Sequence, residues 1–367
     1  MEEIKSKYRK YESLKELASE LERQKNNRYD VVVPTTDLRV IVKDDSVVMS
    51  VPQPNESGEI ECVNNHPITE HAHQQVATKT DIPWRYYEKM RNNDQKHLLI
   101  HNVNTWLPSK DTRLVRVLDN EVRALLSDRY RCIDNHDVLF ESLSEFERIQ
   151  NERNIRMDVQ TQTLTEQHMY VKATSPDLTG EVFKLHDRVE PVQGGIIISN
   201  SEVGVGNFKV EPYINVLACT NGLIREQVLK RRHVGRKLDV GFIEWSDDTK
   251  QLEDAVLWSR LRDMIDQTFD HNKFQKWVDE INGIAQVEIP KPTLAVDNIV
   301  RHFKLPENRK ESLLNQFVKE TPNQWGIAMA MTRCAQDEKN YEEQIKMEKI
   351  GAELLDKRIT PLLTVEG

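Results

Sequence analysis

The residues best suited to chemistry are basic ones, in two groups. Arg225, Lys230, Arg231, Arg232, His233, Arg236 and Lys237 fall within LIREQVLKRRHVGRKLD, opposed by only Glu226 and Asp239. Guanidinium forks and lysine point charges match phosphate oxygens. Read as a helix, this segment offers Lys230, Arg231, Arg232, Arg236 and Lys237 as contacts to a nucleic-acid backbone. A second group, Arg113, Arg116, Arg123, Arg129 and Arg131, is interleaved with Tyr130 in RALLSDRYRC. A single-strand groove uses arginines beside an aromatic ring, because every base has a face to stack. Arg123, Arg129, Tyr130 and Arg131 are its candidates here. The competing reading is ordinary surface charge with acidic partners, since 60 Asp and Glu outnumber 51 Lys and Arg and the net charge is −9.

Residues 198–208, ISNSEVGVGNF, look at first like a glycine loop that cradles phosphate. Such a loop feeds straight into a helix N-terminus, whose free N–H groups point at the anion. Here Gly204 and Gly206 precede FKVEPYINVLACT, a strand pattern, so the context is strand–turn–strand and the dinucleotide fingerprint fails. The glycines supply a turn, with Ser201 and Glu202 as polar residues near a sheet edge. His66, His71 and His73 cluster in HPITEHAHQQ. On a helix, however, His71 and His73 project about 200° apart and cannot share a metal.

GxSxG, HExxH and P-loop signatures are absent from the chain. Asp134 and Asn135, with Asp137 and His136 beside them, read as helix-capping residues before a cation site. An enzyme built on Asp128, Asp134, Asp137, His136 or Glu202 would need those groups to converge in a cleft. The pattern calls for no cofactor and no metal, and no catalytic residue is assigned.

The elements that must position these residues follow from periodicity. The chain has 367 residues, 38% hydrophobic and 30% charged, enough to bury a substantial core. No run approaches the roughly 20 apolar residues of a membrane span. The charged N-terminus lacks the apolar core of a secretory leader. Four separated cysteines without a CxxC pair suit a reducing cytoplasm. Apolar residues at Ile4, Tyr8, Tyr11, Leu14, Leu17 and Leu21 predict an amphipathic N-terminal helix over residues 1–30. An α+β core over 31–245 follows, with a mainly antiparallel sheet, one face solvated, and flanking helices. HNVNTWL and RLVRVLD read as strands within it. Asn221-Gly222 reads as a turn into the basic helix. A helical region occupies 246–367, with a hinge at Pro290 and Pro292 and one long helix from Asn323 to Lys357.

Four segments carry a family resemblance: PITEHAHQQVATKTDIPWRYYEKM, VRALLSDRYRCIDNHDVL, IIISNSEVGVGNFKVEPYINVLACTNGLI with the RRHVG that follows, and TPNQWGIAMAMTRCAQD. Together they resemble the phage/plasmid-like proteins classed as domain of unknown function 932, from about Asn65 to near the C-terminus. That family has no assigned activity. The resemblance implies an accessory protein of a mobile element in the cytoplasm of a bacterial host.

The resulting expectation is a non-catalytic protein that binds single-stranded DNA, or anneals it, in replication or recombination. Self-association is compatible with this. The alternatives are an interaction protein that counteracts a host defence factor, with a host or phage protein as partner, and the carboxylate enzyme above.

Overall fold

Alternating β-branched sequence builds three antiparallel sheets. The computed structural model describes residues 9–54, 60–183, 189–217, 221–225, 229–231, 241–242 and 247–364. The largest sheet runs in the order β1 (Arg9–Tyr11), β8 (Asp158–Leu164), β9 (Met169–Phe183), β10 (Val189–Asn200), β11 (Phe208–Val216) and β12 (Asn221–Ile224), and β13 (Leu229–Arg231) also pairs with β11. A second sheet orders β14 (Gly241–Phe242), β2 (Arg28–Pro34), β6 (Thr112–Leu118) and β7 (Glu121–Ser127). The third is β3 (Arg39–Lys43), β4 (Ser46–Pro54) and β5 (Ile60–Pro67).

The helices in the first half are α1 (Leu14–Asn26), α2 (Glu70–Lys79), α3 (Trp84–Asn92), α4 (Lys96–Trp106) and α5 (Asn135–Arg153). The C-terminal region is helical: α6 (Asp247–Thr268), α7 (His271–Ala285), α8 (Pro292–His302), α9 (Asn308–Phe317), α10 (Gln324–Gln336), α11 (Tyr341–Glu353) and α12 (Thr360–Leu363). The class is α+β. Among the described residues no helix is long and apolar enough to cross a membrane.

Strand periodicity assigns side chains to separate cores. Ile196 and Ile198 of β10 and Val210 and Ile214 of β11 face Leu261, Ile265, Phe274 and Val278 of α6 and α7. Leu17 and Leu21 of α1 and Met331 of α10 belong to the same core. A second core lies between the other two sheets: Val31, Val33, Val115 and Val117 meet Val40, Met49, Val76 and Leu99. Between the two sits a small cluster of Val32, Leu114, Leu126, Tyr130 and Val203. Val32 alternates with Val31 and Val33, so β2 serves two cores at once.

Several expectations change. The large sheet is covered on both faces along its middle strands, because Ile197 and Tyr213 pack under Tyr341 and Ile345 of α11. Of the N-terminal helix, the described part starts only at Leu14, after Ser13 caps it by accepting from Glu16 N, and Arg9–Tyr11 is a strand on β8. HNVNTWL ends α4, with Leu107 as its C-cap, and Leu99, Val103 and Leu107 recur every four residues on the buried face. Asn221-Gly222 is not a turn into a helix; it opens strand β12.

The described parts of the basic segment are the end of β12, Arg225 and strand β13, none of them helix. Pro292 is in the first turn of α8, and Ile289 N bonds Pro322 O, so this stretch is stitched in place. The long C-terminal helix is broken between Gln336 and Tyr341. Residues from all three expected spans share one core, so the boundaries at 30 and 245 do not separate cores.

Candidate functional site

The loop between β10 and β11 is where the two sheets are joined. Ser199 pairs with Lys209, so residues 201–207 turn between antiparallel strands. Gly204 has φ +83°, a conformation that side chains resist. The loop leaves the sheet edge and enters the junction, which buries Ser201 and Glu202 instead of leaving them at an edge. Two of its carbonyls accept from side chains across the junction. Ser201 O accepts from Tyr130 Oη at 2.8 Å, and Val203 O accepts from His71 Nε2 at 3.0 Å and Gln75 Nε2 at 2.7 Å.

The loop also anchors a buried ion network. Arg116, 1% exposed, donates to Asp30 at 2.9 Å, Asp134 at 3.0 Å and the Glu202 carbonyl at 2.8 Å. The Glu202 carboxylate pairs with Arg123 and accepts the Asn135 N–H at 2.6 Å, at the start of α5. Asp134 also pairs with Arg28. Burial alone would raise the carboxyls of Asp134 and Glu202. Arg116 and Arg28 hold Asp134 well below its ordinary value, and Arg123, Arg116 and Arg28 hold Glu202 below its own. Burial opposes the charge of Arg116, and its carboxylates more than offset that. All these groups stay ionised because each charge faces opposite charge at hydrogen-bond distance.

This corrects the groove built on the second basic group. Arg123 is spent on Glu202, while Tyr130 and Arg131 are buried. Of the four candidates only Arg129 is exposed. Asp134 does stand at the N-cap of α5, but its side chain makes no capping bond: it is taken by arginines, and Glu202, distant in sequence, takes the Asn135 N–H. Asp128 is tied to Thr112 at 2.6 Å and His136 to Glu22 at 2.8 Å. The three clustered histidines face different partners, His66 bonding Tyr29 Oη, His71 the Val203 carbonyl and His73 Tyr87 Oη.

Beside the network lies a cavity of about 260 Å³, walled by β1, α1, the turns β6–β7 and β8–β9, and Glu202. His168 lines it. Glu342 of α11 accepts from His168 Nδ1 at 2.8 Å, and Gly206 packs against the other edge of the ring.

A second cleft, about 230 Å³, opens where the α6–α7 corner lifts off the main sheet. Arg225, Gln267, Lys273, Phe274 and Trp277 line it. Arg225 N bonds Pro212 O and so starts on the sheet. Its guanidinium lies 5.5 Å from the Trp277 ring centroid and pairs with Glu280 at 3.0 Å on the half-exposed rim. Lys273 Nζ donates to Gln267 Oε1 at 3.0 Å, and Asp270 caps α7 by accepting from Lys273 N at 2.9 Å.

Arg225 is therefore the described member of the first basic group that reaches a cleft. The backbones of Lys230 and Arg231 lie in β13; their side chains, with Arg232, Arg236 and Lys237, fall outside the described residues. Lys273 and Trp277 escape a sequence reading because HNKFQKWVDEI puts Trp277 on the same helical stripe as Phe274, Val278 and Ile281, the stripe of a core helix. The available signal was a cation one turn before a tryptophan.

No family model, curated protein or solved structure matches this chain.

Proposed function

We propose that the protein binds single-stranded nucleic acid without cleaving it, through the α6–α7 cleft and the basic segment that continues from Arg225. The observation that carries this reading is the Arg225–Trp277 pair at the mouth of a cleft that also holds Lys273. An indole face accepts a base of any sequence, and base–aromatic stacking contributes about 1–3 kcal/mol per base. Arg225 lies over one face of that ring, leaving the other for a base, and with Lys273, which lines the same cleft, supplies the cations a phosphate backbone needs. The sequence from Lys230 to Lys237 adds five more lysines and arginines along the same stretch of chain. A net charge of −9 is compatible with this, because binding follows local charge. The resemblance to phage and plasmid proteins supports a role in single-strand binding or annealing during replication or recombination of a mobile element.

Fluorescence anisotropy with a labelled single-stranded oligonucleotide tests the proposal. Binding at low salt should weaken linearly in log–log form as salt rises, and Trp277→Ala should reduce affinity about tenfold or more. Absence of binding at low salt rejects the reading.

A further inference from the structure

Two large aromatic side chains stand in solvent on the α3–α4 hairpin. Tyr86 is 49% exposed and Trp106 64%, although such rings stabilise a fold chiefly by being buried. Phe140, also exposed, packs on the His136 ring at 4.5 Å between centroids. Tyr86 and Trp106 have no ring partner among the described residues.

The hairpin brings these two rings together. Residues 93–95 join α3 to α4, and so short a connection makes the helices antiparallel. Asn102 Nδ2 donates to Met90 Sδ at 3.5 Å, which sets their register and identifies the facing stripes. Tyr86 lies one turn before Met90, and Trp106 one turn after Asn102, each on the same stripe of its helix. In an antiparallel pair both steps lead to the same end. The two rings therefore border one shallow groove between the helices, while Tyr87, Met90, Leu99 and Val103 fix the hairpin to the second core beneath.

The charges around the groove are of one dominant sign. Arg85 and Lys89 form the next stripe of α3, outward of Tyr86, and Lys110 follows Trp106 by four residues. All three are exposed and form no ion pair among the described residues. Arg91 and Lys96, by contrast, are held by Glu70 and Asp45. Glu88 lies on the opposite side of α3 from Tyr86, Asp94 is in the connecting turn at the far end, and Asp111 is taken by Lys79 and Arg113. Of the acids in residues 81–111, that leaves Asp81 against three cations. Unpaired cations beside unpartnered rings match a single strand, whose phosphates need the first and whose bases stack on the second. An acidic peptide would use the cations and leave the rings in water.

We infer that the α3–α4 groove is a second binding surface for single-stranded nucleic acid. The inference rests on the single-strand reading and extends it. The α6–α7 cleft is built on the first core and the hairpin on the second, so one chain holds two strands at once. That is the requirement for annealing. An open face excludes less water than a cleft, which makes this surface the weaker of the two.

A capture assay tests the inference on the full chain. Wild-type protein should carry labelled oligo(dT), which cannot pair with itself, onto beads bearing biotinylated oligo(dT). Tyr86→Ala combined with Trp106→Ala should lower capture at least fivefold, while anisotropy still registers a strand in the α6–α7 cleft. Arg85→Gln combined with Lys89→Gln should reduce the salt slope of capture by about one. Circular dichroism melts establish that the variants are folded. Undiminished capture in the folded Tyr86→Ala, Trp106→Ala chain overturns the inference and leaves the cleft reading standing. Wild-type chain that binds in anisotropy without capturing a second strand does the same. Displacement of the captured strand by polyglutamate as readily as by oligo(dT) also overturns it, marking a surface for acidic peptide. Absence of any oligonucleotide binding at low salt removes both readings together.

Discussion

Arg116 and Arg225 are the same residue type in basic stretches of one chain, and the structure gives them opposite roles. Arg116 is enclosed by Asp30, Asp134 and the Glu202 carbonyl and touches almost no solvent. Arg225 rests on the rim of a cleft, over an indole, with one half-exposed carboxylate partner. The first is locked into the fold, because removing either side of a buried ion pair strands the other in a low-dielectric interior. The second has a partner that water already screens and that a phosphate can replace. The lesson is that an arginine's availability depends on what surrounds its head group, and local sequence does not report this.

The comparison is broken most severely at the junction. Arg116→Met should cost about 3–5 kcal/mol, because Asp30 and Asp134 lose their buried counter-charge. Urea denaturation measures it, and a loss below 1 kcal/mol would return Arg116 to the surface class.

Titration attacks the same region. The Asp134 and Glu202 carboxyls are depressed in the folded protein, so their contribution is complete above the unfolded carboxylate range of about 4. It is lost as pH falls through the folded values. His73 acts earlier in the same direction. Desolvation lowers it from 6.5 to about 3, so the unfolded chain takes up a proton below about pH 6.5 that the folded chain refuses. Desolvation lowers His71 as well. Urea midpoints should fall in two stages between pH 7 and pH 3, and His73→Phe should flatten the first stage.

Gly204→Ala should cost about 1–3 kcal/mol, from positive φ together with a Cβ 2.5 Å from Leu126 Cδ2. Its thermal midpoint should drop while oligonucleotide binding by the folded fraction is unchanged. On the other side of the comparison, Arg225→Ala should lower oligonucleotide affinity severalfold and reduce the salt slope by about one. Arg129→Ala is the smallest change expected. It should stay within about 0.5 kcal/mol in stability, because the side chain is exposed and the structure ties only its backbone N–H, to Ser127 Oγ.

Much of the fold is legible from pattern alone. The β-branched run in VQGGIIISN and the alternation in KVEPYINV correspond to β10 and β11, and the stripe in HNKFQKWVDEINGI to α7. HNVNTWL misleads because its valine, threonine and tryptophan favour strands locally, while burial of Leu99, Val103 and Leu107 together favours a helix. The solvated face assigned to the sheet fails for a similar reason. Ile197 lies between Ile196 and Ile198, and the unbroken apolar run marks a strand covered on both sides.

The sequence by itself determined many of the secondary elements, β10, β11 and α7 among them, together with the hairpin context of ISNSEVGVGNF and the exclusion of a phosphate-loop helix, because each depends on neighbours within a few residues. Tertiary structure decided which charges are spent. Glu202 meets Arg123 across 79 positions and Asn135 across 67, and those distances in chain carry no local signal. Burial then decides what such a pair is for. In the interior a charge must be answered by another charge of the same chain, whereas at a cleft rim water holds the place until a ligand arrives.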